Sequence, residues 1–224
     1  QLDFLHRDSI AEDPTRIIRG ARYSARLNLT LSLSSLQQVR ATLRAWPWSW
    51  RPEQEPIKVP PSLGVRLRME LELLLEKEPW EQSLRNLQDW GGLLLLDKEI
   101  QDDHEWGNRI KWALKLKINP LTALISGATK SSKIAKRLQL PKRQVNLLAE
   151  CIKLKSFLTS KEVKDSCKDW SPIIWCKVIE SNHWSPEAIG MNICLGLSSW
   201  KMLLRWWGRW RYIESSVSAD SLLK

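Results

Sequence analysis

Phenylalanine and tyrosine are nearly missing, with two of each, and glycine is sparse at nine. Neither glycine nor proline is patterned, which excludes collagen-like and low-complexity classes. The four cysteines, Cys151, Cys167, Cys176 and Cys194, form no C-x-x-C and have no histidine at zinc-ligand spacing. His6, His104 and His183 are scattered. Zinc-finger and His-based metal sites are thereby excluded, and reduced, buried thiols are the expectation. The apolar run "LLLL" at Leu93 is far short of the ~20 residues that span a bilayer. A signal-peptide pattern is missing too, so a cytoplasmic chain with no membrane partner is expected. Alternating apolar and polar strands are lacking, which argues against a sheet.

What is present is cationic and helical. Lysine and arginine outnumber acids 35 to 25, a formal net charge of +10. A basic balance of this size favours a polyanionic partner over a merely soluble basic surface. Tryptophan is abundant, at 14, and composition alone supplies no physical reason. Leu, Ile, Ala and Trp recur at spacings of three and four almost throughout, so the fold class is all-α. Helices are expected over 14–27, 34–45, 63–77, 79–95, 103–116, 132–138, 142–157, 161–167, 172–180, 186–194 and 198–212. Asn28 tolerates left-handed backbone and should end the first. Ser160, Ser171 and Ser185 sit where caps belong. The Ser-rich stretch after Glu214 should fray.

Prolines in "WPWSWRPEQEPIKVPPS" (46–62) forbid a continuous helix and mark a loop or hinge. Gly127 and the Ser/Lys cluster after it mark a second break. Three subdomains are expected: 1–58, a neck with its Trp/Pro loop; 59–127, a helical body; and 128–224, a basic helical tail.

The segment "IAEDPTRIIRGARYSARL" (10–27) carries the most chemistry. On a helical wheel Ile17, Ile18, Ala21 and Ala25 share one arc, and Arg19, Arg22 and Arg26 share the next, with Arg16 and Tyr23 at its edge. Asp13 is a good N-cap before a proline at the first helical position, and Glu12 and Asp13 complement the helix dipole. Capping plus an exposed Asp13–Arg16 pair, worth about 0.2–1 kcal/mol, explains part of this. Arginines crowded on one arc still need an anion nearby, from protein or ligand. An Asp beside an Arg also offers one acceptor and a donor fork. That edge matches the amino group and ring acceptors of cytosine or adenine and rejects guanine and uracil.

"HRDSIAEDPTRIIRGARYSARL" resembles the neck motif of the class II (bacterial-type) CCA-adding tRNA nucleotidyltransferase and poly(A) polymerase family, close to E-D-P-x-R-x-x-R-A-x-R-F-x-A-R-L. Glu12, Asp13, Pro14, Arg16, Arg19, Arg22, Ala25, Arg26 and Leu27 match. Gly20 replaces the usual Ala, at a helix cost of up to about 1 kcal/mol; Tyr23 replaces Phe and Asn28 replaces Gly. "RLRMELELLLEKEPWEQSLRNLQDWGGLLLL" is similar to the family's R-x-x-x-E-L-x-x-L-L segment and following G-L-L, with Arg68 to Leu75 and Gly92 to Leu94 carrying the likeness. Coverage runs from Leu5 to Leu96. The resemblance implies that Asp13 and Arg16 read incoming CTP or ATP as a protein template, that Glu12 holds the pair, and that Arg19 supports the pocket.

The family's catalytic head, with its Gly-Ser motif and Asp-x-Asp pair for Mg2+, is not found in this sequence. "QDDHEW" (101–106) is the only close acidic cluster; it lacks that spacing and reads as a solvated helix start. The expected identity is therefore a neck, body and tail that need a head in cis or trans. No catalytic or metal-ligating residue is assigned, and the chain alone is expected not to add nucleotides. The activity implied for the whole is CCA completion of tRNA, with A-only, CC-only or poly(A) addition left open.

Basic residues Lys115, Lys117, Lys130, Lys133, Lys136, Arg137, Lys142 and Arg143, with Arg22 and Arg26, are candidates for salt-sensitive contact with tRNA phosphates. Two other readings remain. A non-catalytic RNA-binding scaffold would keep the basic surface without using Asp13 and Arg16. "SKIAKRLQLPKRQVNLLAE" (132–150) mimics a helix-turn-helix, but Val145, Leu147, Leu148, Cys151, Ile152 and Leu154 make its second helix too apolar for a DNA groove. In "WKMLLRWWGRWRY" (200–212), Met202, Leu203, Trp206, Trp207 and Trp210 read as core-forming. Base stacking by its aromatics is the rival.

Overall fold

The computed structural model describes residues 1–6 and 8–213. Among these the chain is all-α, with one isolated β-bridge between Leu2 and Leu31. It divides into two compact units, 1–148 and 149–224.

The first unit begins with a short helix, α1 (Ser9–Glu12), which breaks at Asp13 and Pro14 before α2 (Thr15–Arg26). Asp13 is extended, at φ −144° and ψ 102°, as a residue before proline prefers. Asn28 takes φ +52° and ends the run, as its side chain allows. Next comes α3 (Leu33–Ala45), capped by Ser32 Oγ accepting from the Ser35 amide at 3.2 Å. After a long loop follow α4 (Val65–Lys77) and α5 (Trp80–Trp90). The helix expected over 79–95 is interrupted: Gly91 at φ +87° closes α5, and residues Gly92–Leu95 form a 3-10 turn. A Cβ on Gly92 would lie 2.4 Å from Leu87 Cδ1 and 3.0 Å from Ile17 Cγ2. Close approach of this turn to α2 is what the Gly-Leu-Leu run permits. The unit is completed by α6 (Lys98–Gln101), α7 (Trp106–Lys115), α8 (Pro120–Ile125), α9 (Ser131–Arg137) and the start of α10 (Lys142–Thr159).

One continuous apolar core joins these helices. Ile17, Ile18 and Ala21 of α2, Leu67, Leu71 and Leu74 of α4, Leu84 and Leu87 of α5, and Ile134 and Leu138 near α9 all belong to it. Both boundaries expected from the sequence, at 58/59 and 127/128, therefore fall inside one compact unit.

The Trp/Pro loop is a strap pinned by indole hydrogen bonds. Trp46 Nε1 donates to Trp50 O at 2.7 Å, Trp50 Nε1 to Glu55 O at 3.1 Å, and Trp48 Nε1 to Ala11 O at 2.9 Å. Trp46 and Trp50 are buried in the core. Thus Trp46 and Trp50 bury, and Trp48 half-buries, a large apolar ring while each places one polar donor, which suits a proline-rich segment short of backbone donors.

The second unit takes up α10 and adds α11 (Lys161–Ser166), α12 (Pro172–Ser181), α13 (Pro186–Cys194) and α14 (Trp200–Gly208). Ser171 and Ser185 cap their helices by accepting from the Ile174 and Ala188 amides. Ser160 instead donates to Phe157 O. Leu154, Leu158, Trp175, Ile179, Ile189, Ile193, Leu203 and Trp206 are buried. Met202, Trp207 and Trp210, expected in the core, are only half-buried. The helix expected over 198–212 stops at Gly208, the last residue of α14, and a 3-10 turn follows at Trp210–Tyr212. The stretch after 213 expected to fray lies outside the described residues.

Of the cysteines, Cys151 and Cys194 are buried and Cys167 and Cys176 are partly exposed; none is in a disulfide. Burial pushes the Cys151 thiol up to about 12, so it stays protonated and inert at neutral pH.

Candidate nucleotide and RNA site

The break between α1 and α2 gathers the site. One oxygen of Asp13, Oδ1, accepts from the Thr15 amide at 3.1 Å and from Thr15 Oγ1 at 2.7 Å, closing the first turn of α2. The other oxygen, Oδ2, accepts from Arg66 on α4 at 2.6 Å. Three of the carboxylate's roughly four lone-pair positions are thus occupied, which leaves one on Oδ2.

Arg16 is held by the residues of α1. Its Nη1 donates to Ser9 O at 3.0 Å and to Glu12 Oε2 at 3.4 Å, an i,i+4 pair across the helix break. The Arg16 side chain keeps 41 % of its surface open, against 15 % for Asp13. Nε–H and the second amino group of Arg16 form no hydrogen bond within the described residues. Asp13 does not pair with Arg16: each is held by another residue, Asp13 by Arg66 and Arg16 by Glu12. The local Asp13–Arg16 bridge read from the sequence is therefore replaced by two separate clamps. Trp48 fixes the end of α1 through its hydrogen bond to Ala11 O.

The anion that the arginine arc requires is supplied by the protein. Glu70 of α4 and Glu78 just beyond it meet Arg22: Arg22 Nη1 pairs with Glu70, and Arg22 Nη2 lies 3.1 Å from Glu78 Oε1. Arg26 reaches Glu78 at 3.6 Å and Arg19 reaches Glu70 at 3.9 Å. Arg22 is buried, with 10 % of its side chain exposed, and serves as a strut between α2 and α4, where the sequence reading places it among the RNA contacts. Arg26 and Arg19 remain about half exposed. Tyr23 sits among them, with the Arg26 guanidinium 4.9 Å from its ring centroid. The Arg19 guanidinium is held above its ordinary value, first by its hydrogen bond and charge interaction with Tyr23, then by Glu70 and Asp13.

Sequence reading missed Arg66, Glu70, Glu78 and Trp48 as site residues. Arg68, which the motif comparison singled out, binds Gln139 O and pairs with Glu72 at 3.7 Å. Arg66 was legible as the other arginine near the start of α4.

The lysine-rich segment divides. Lys115, Lys117, Lys130, Lys136, Lys142 and Arg143 are exposed in the first unit. Lys133 is tied to Glu53 O at 3.0 Å and to Glu55 Oε1 at 2.8 Å. With Lys136 and Lys130 adding to it, Lys133 holds the Glu55 carboxyl below its ordinary value. Arg137 is the second correction. It is buried, donates to Leu96 O at 2.8 Å and lies over the Trp50 ring at 5.1 Å. Burial lowers it to about 10. It anchors the strap and cannot reach a phosphate.

The helix-turn-helix segment buries Ile134, Ala135, Leu138 and Leu140 as such a motif would, and Gln139 turns at φ +52°. Leu148, Cys151 and Leu154 of its second helix are buried as well, so that stripe is not open to a DNA groove.

Asp103 is no solvated acid: it caps the Glu105 amide at 2.7 Å and pairs with the buried Arg109. Among the described residues no three carboxylate, histidine or cysteine side chains converge to hold a metal ion. No helix among the described residues is long and apolar enough to cross a membrane.

The described residues define an all-α protein with this charged helix break in its first unit. Solved structures share it. A tRNA-processing enzyme with CTP superposes with a TM-score of 0.64 at 17 % identity, over 99 % of this chain and 60 % of that one. A CCA-adding enzyme with ATP gives 0.62 at 17 % identity, over 91 % and 48 %. The Thermotoga maritima CCA-adding enzyme complexed with tRNA gives 0.60 at 17 % identity, over 98 % and 53 %. The chain therefore spans half to three fifths of these proteins, and at such identity the likeness is one of fold. No family profile and no curated protein matches the sequence.

Proposed function

We propose that this chain is the nucleobase-selecting and tRNA-holding portion of a tRNA nucleotidyltransferase of the class II type, one that completes all or part of the 3′ CCA with CTP and ATP. The carrying observation is the arrangement at the helix break. Asp13 keeps one acceptor position after its clamps to Thr15 and Arg66, and Arg16, one helical turn further along, keeps unpaired donors on a side chain that is 41 % exposed. An acceptor next to a donor fork complements the amino group and ring nitrogen shared by cytosine and adenine. Glu12 holds the Arg16 fork, and Arg19 adds positive charge near Asp13. Lys115, Lys117, Lys130, Lys136, Lys142, Arg143 and the exposed part of Arg26 hold RNA phosphates. Chemistry at the triphosphate, with its Mg2+, belongs to a head domain supplied in cis or trans.

Fold-sharing enzymes solved with CTP, with ATP and with tRNA support this reading. Nucleotide titration followed by NMR tests it. CTP and ATP should shift the Asp13 and Arg16 signals at concentrations where UTP and GTP do not, and Asp13→Ala should abolish the difference. Equal shifts for all four nucleotides would leave the scaffold reading, in which tRNA binds through the basic surface alone. The purified chain should extend no tRNA by itself.

A further inference from the structure

The segment Trp200 to Tyr212 contains Lys201, Arg205, Arg209 and Arg211 and no acid. None of these cations forms an ion pair with a carboxylate among the described residues. Its inward face is accounted for: Leu203 and Trp206 are buried where α14 packs on α13. Trp200 and Trp207 lie seven residues apart on another side of α14, and Arg211 follows in the 3-10 turn Trp210–Tyr212 after the helix ends.

There the flat groups are layered. The Arg211 guanidinium lies 4.5 Å from the Trp207 ring centroid and 4.6 Å from that of Tyr212. The same guanidinium donates to the Tyr212 hydroxyl. Arg211 thus links both rings and holds them in place. Lys201 lies 5.9 Å from the Trp200 ring. Tyr212 is 64 % exposed. An aromatic surface interleaved with unpaired cations fits a ligand that is both polyanionic and flat-faced.

We infer that Trp207, Arg211 and Tyr212 form a stacking platform for unpaired RNA bases, with Arg205 and Arg209 on the adjoining phosphates. This rests on the RNA-holding reading above and adds to it a base-contacting surface on the second unit. A membrane surface fits less well: α14 spans nine residues and turns its Leu203–Trp206 stripe inward, leaving no continuous apolar face to immerse. Duplex RNA conceals its base faces and would use the cations alone.

The test compares the full chain with its Tyr212→Leu and Trp207→Leu variants, checked for native circular dichroism. The probes are a single-stranded RNA of about 12 nucleotides, a strand of equal length without bases, and phosphatidylserine-containing vesicles. Loss of one stacked base should weaken binding to the base-bearing strand about tenfold. The base-free strand should bind wild type and variants alike. Tyr212→Leu, at an exposed position, carries the test should Trp207→Leu fail to fold. Unchanged affinity for the base-bearing strand would overturn the platform, as would equal losses on both strands. So would vesicle binding that falls in the variants while RNA binding does not. The nucleotide titration of Asp13 and Arg16, run on the same samples, reports separately on the nucleobase-selecting site.

Discussion

At the scale of residues, charge in this protein does two different jobs that the sequence writes in the same letters. Arg19, Arg22 and Arg26 share an arc of α2, yet Arg22 alone is drawn inside by Glu70 and Glu78. Glu78 is almost completely buried, so removing Arg22 would leave a desolvated carboxylate with only the half-exposed Arg26 at 3.6 Å to meet it. Arg22→Ala should therefore lower stability by about 3–5 kcal/mol. Arg26→Ala, at a half-exposed pair, should change it by no more than about 1 kcal/mol. Urea unfolding of both variants measures the contrast, and equal effects would count against a buried strut. That Asp13 closes the start of α2 was legible, because Asp before Pro fixes the local backbone. Its clamp to Arg66 was not, since the partners are 53 positions apart and meet only through helix packing.

At the scale of elements, local signals located most helices and failed where tertiary contact decides. Asn28, Ser171 and Ser185 end or begin helices where their side-chain chemistry predicts. The four-residue helices α1 and α6 are too short to display a period. Prolines correctly excluded a helix from 46–62, but nothing local reveals that Trp48 reaches back to Ala11, 37 positions earlier. That bond supports the candidate site. Trp48→Phe keeps the ring and removes the donor, at a cost of about 0.5–1.5 kcal/mol. Amide exchange at Glu12 and Asp13 should accelerate, with α9 unaffected. Unchanged exchange would show that the end of α1 is held by other means.

At the scale of the whole molecule, the chain divides into two compact units, each with its own buried core. Proline-rich and Ser/Lys-rich stretches look like linkers in sequence, yet Trp50 and Arg137 draw both into the first unit's interior. The second unit has its own buried set from Leu154 to Trp206. Separate cores favour separate cooperativity. Calorimetry should give a van't Hoff enthalpy below the calorimetric one, with near-ultraviolet and far-ultraviolet signals lost at different temperatures. A single coincident transition would contradict this. The all-α class and the basic balance were readable from periodicity and charge, because both are sums over many residues and survive local errors.

Asp13 has a consequence for engineering. The same carboxylate that would meet a base also starts a helix and faces a guanidinium on another helix. Converting it to Asn would preserve an oxygen for Thr15 but turn an amide NH2 toward Arg66, donor against donor. On the proposed function, rewriting the preference of this site toward uracil or guanine would take at least two coordinated substitutions, and the architecture that presents Asp13 would buffer that choice against single mutations.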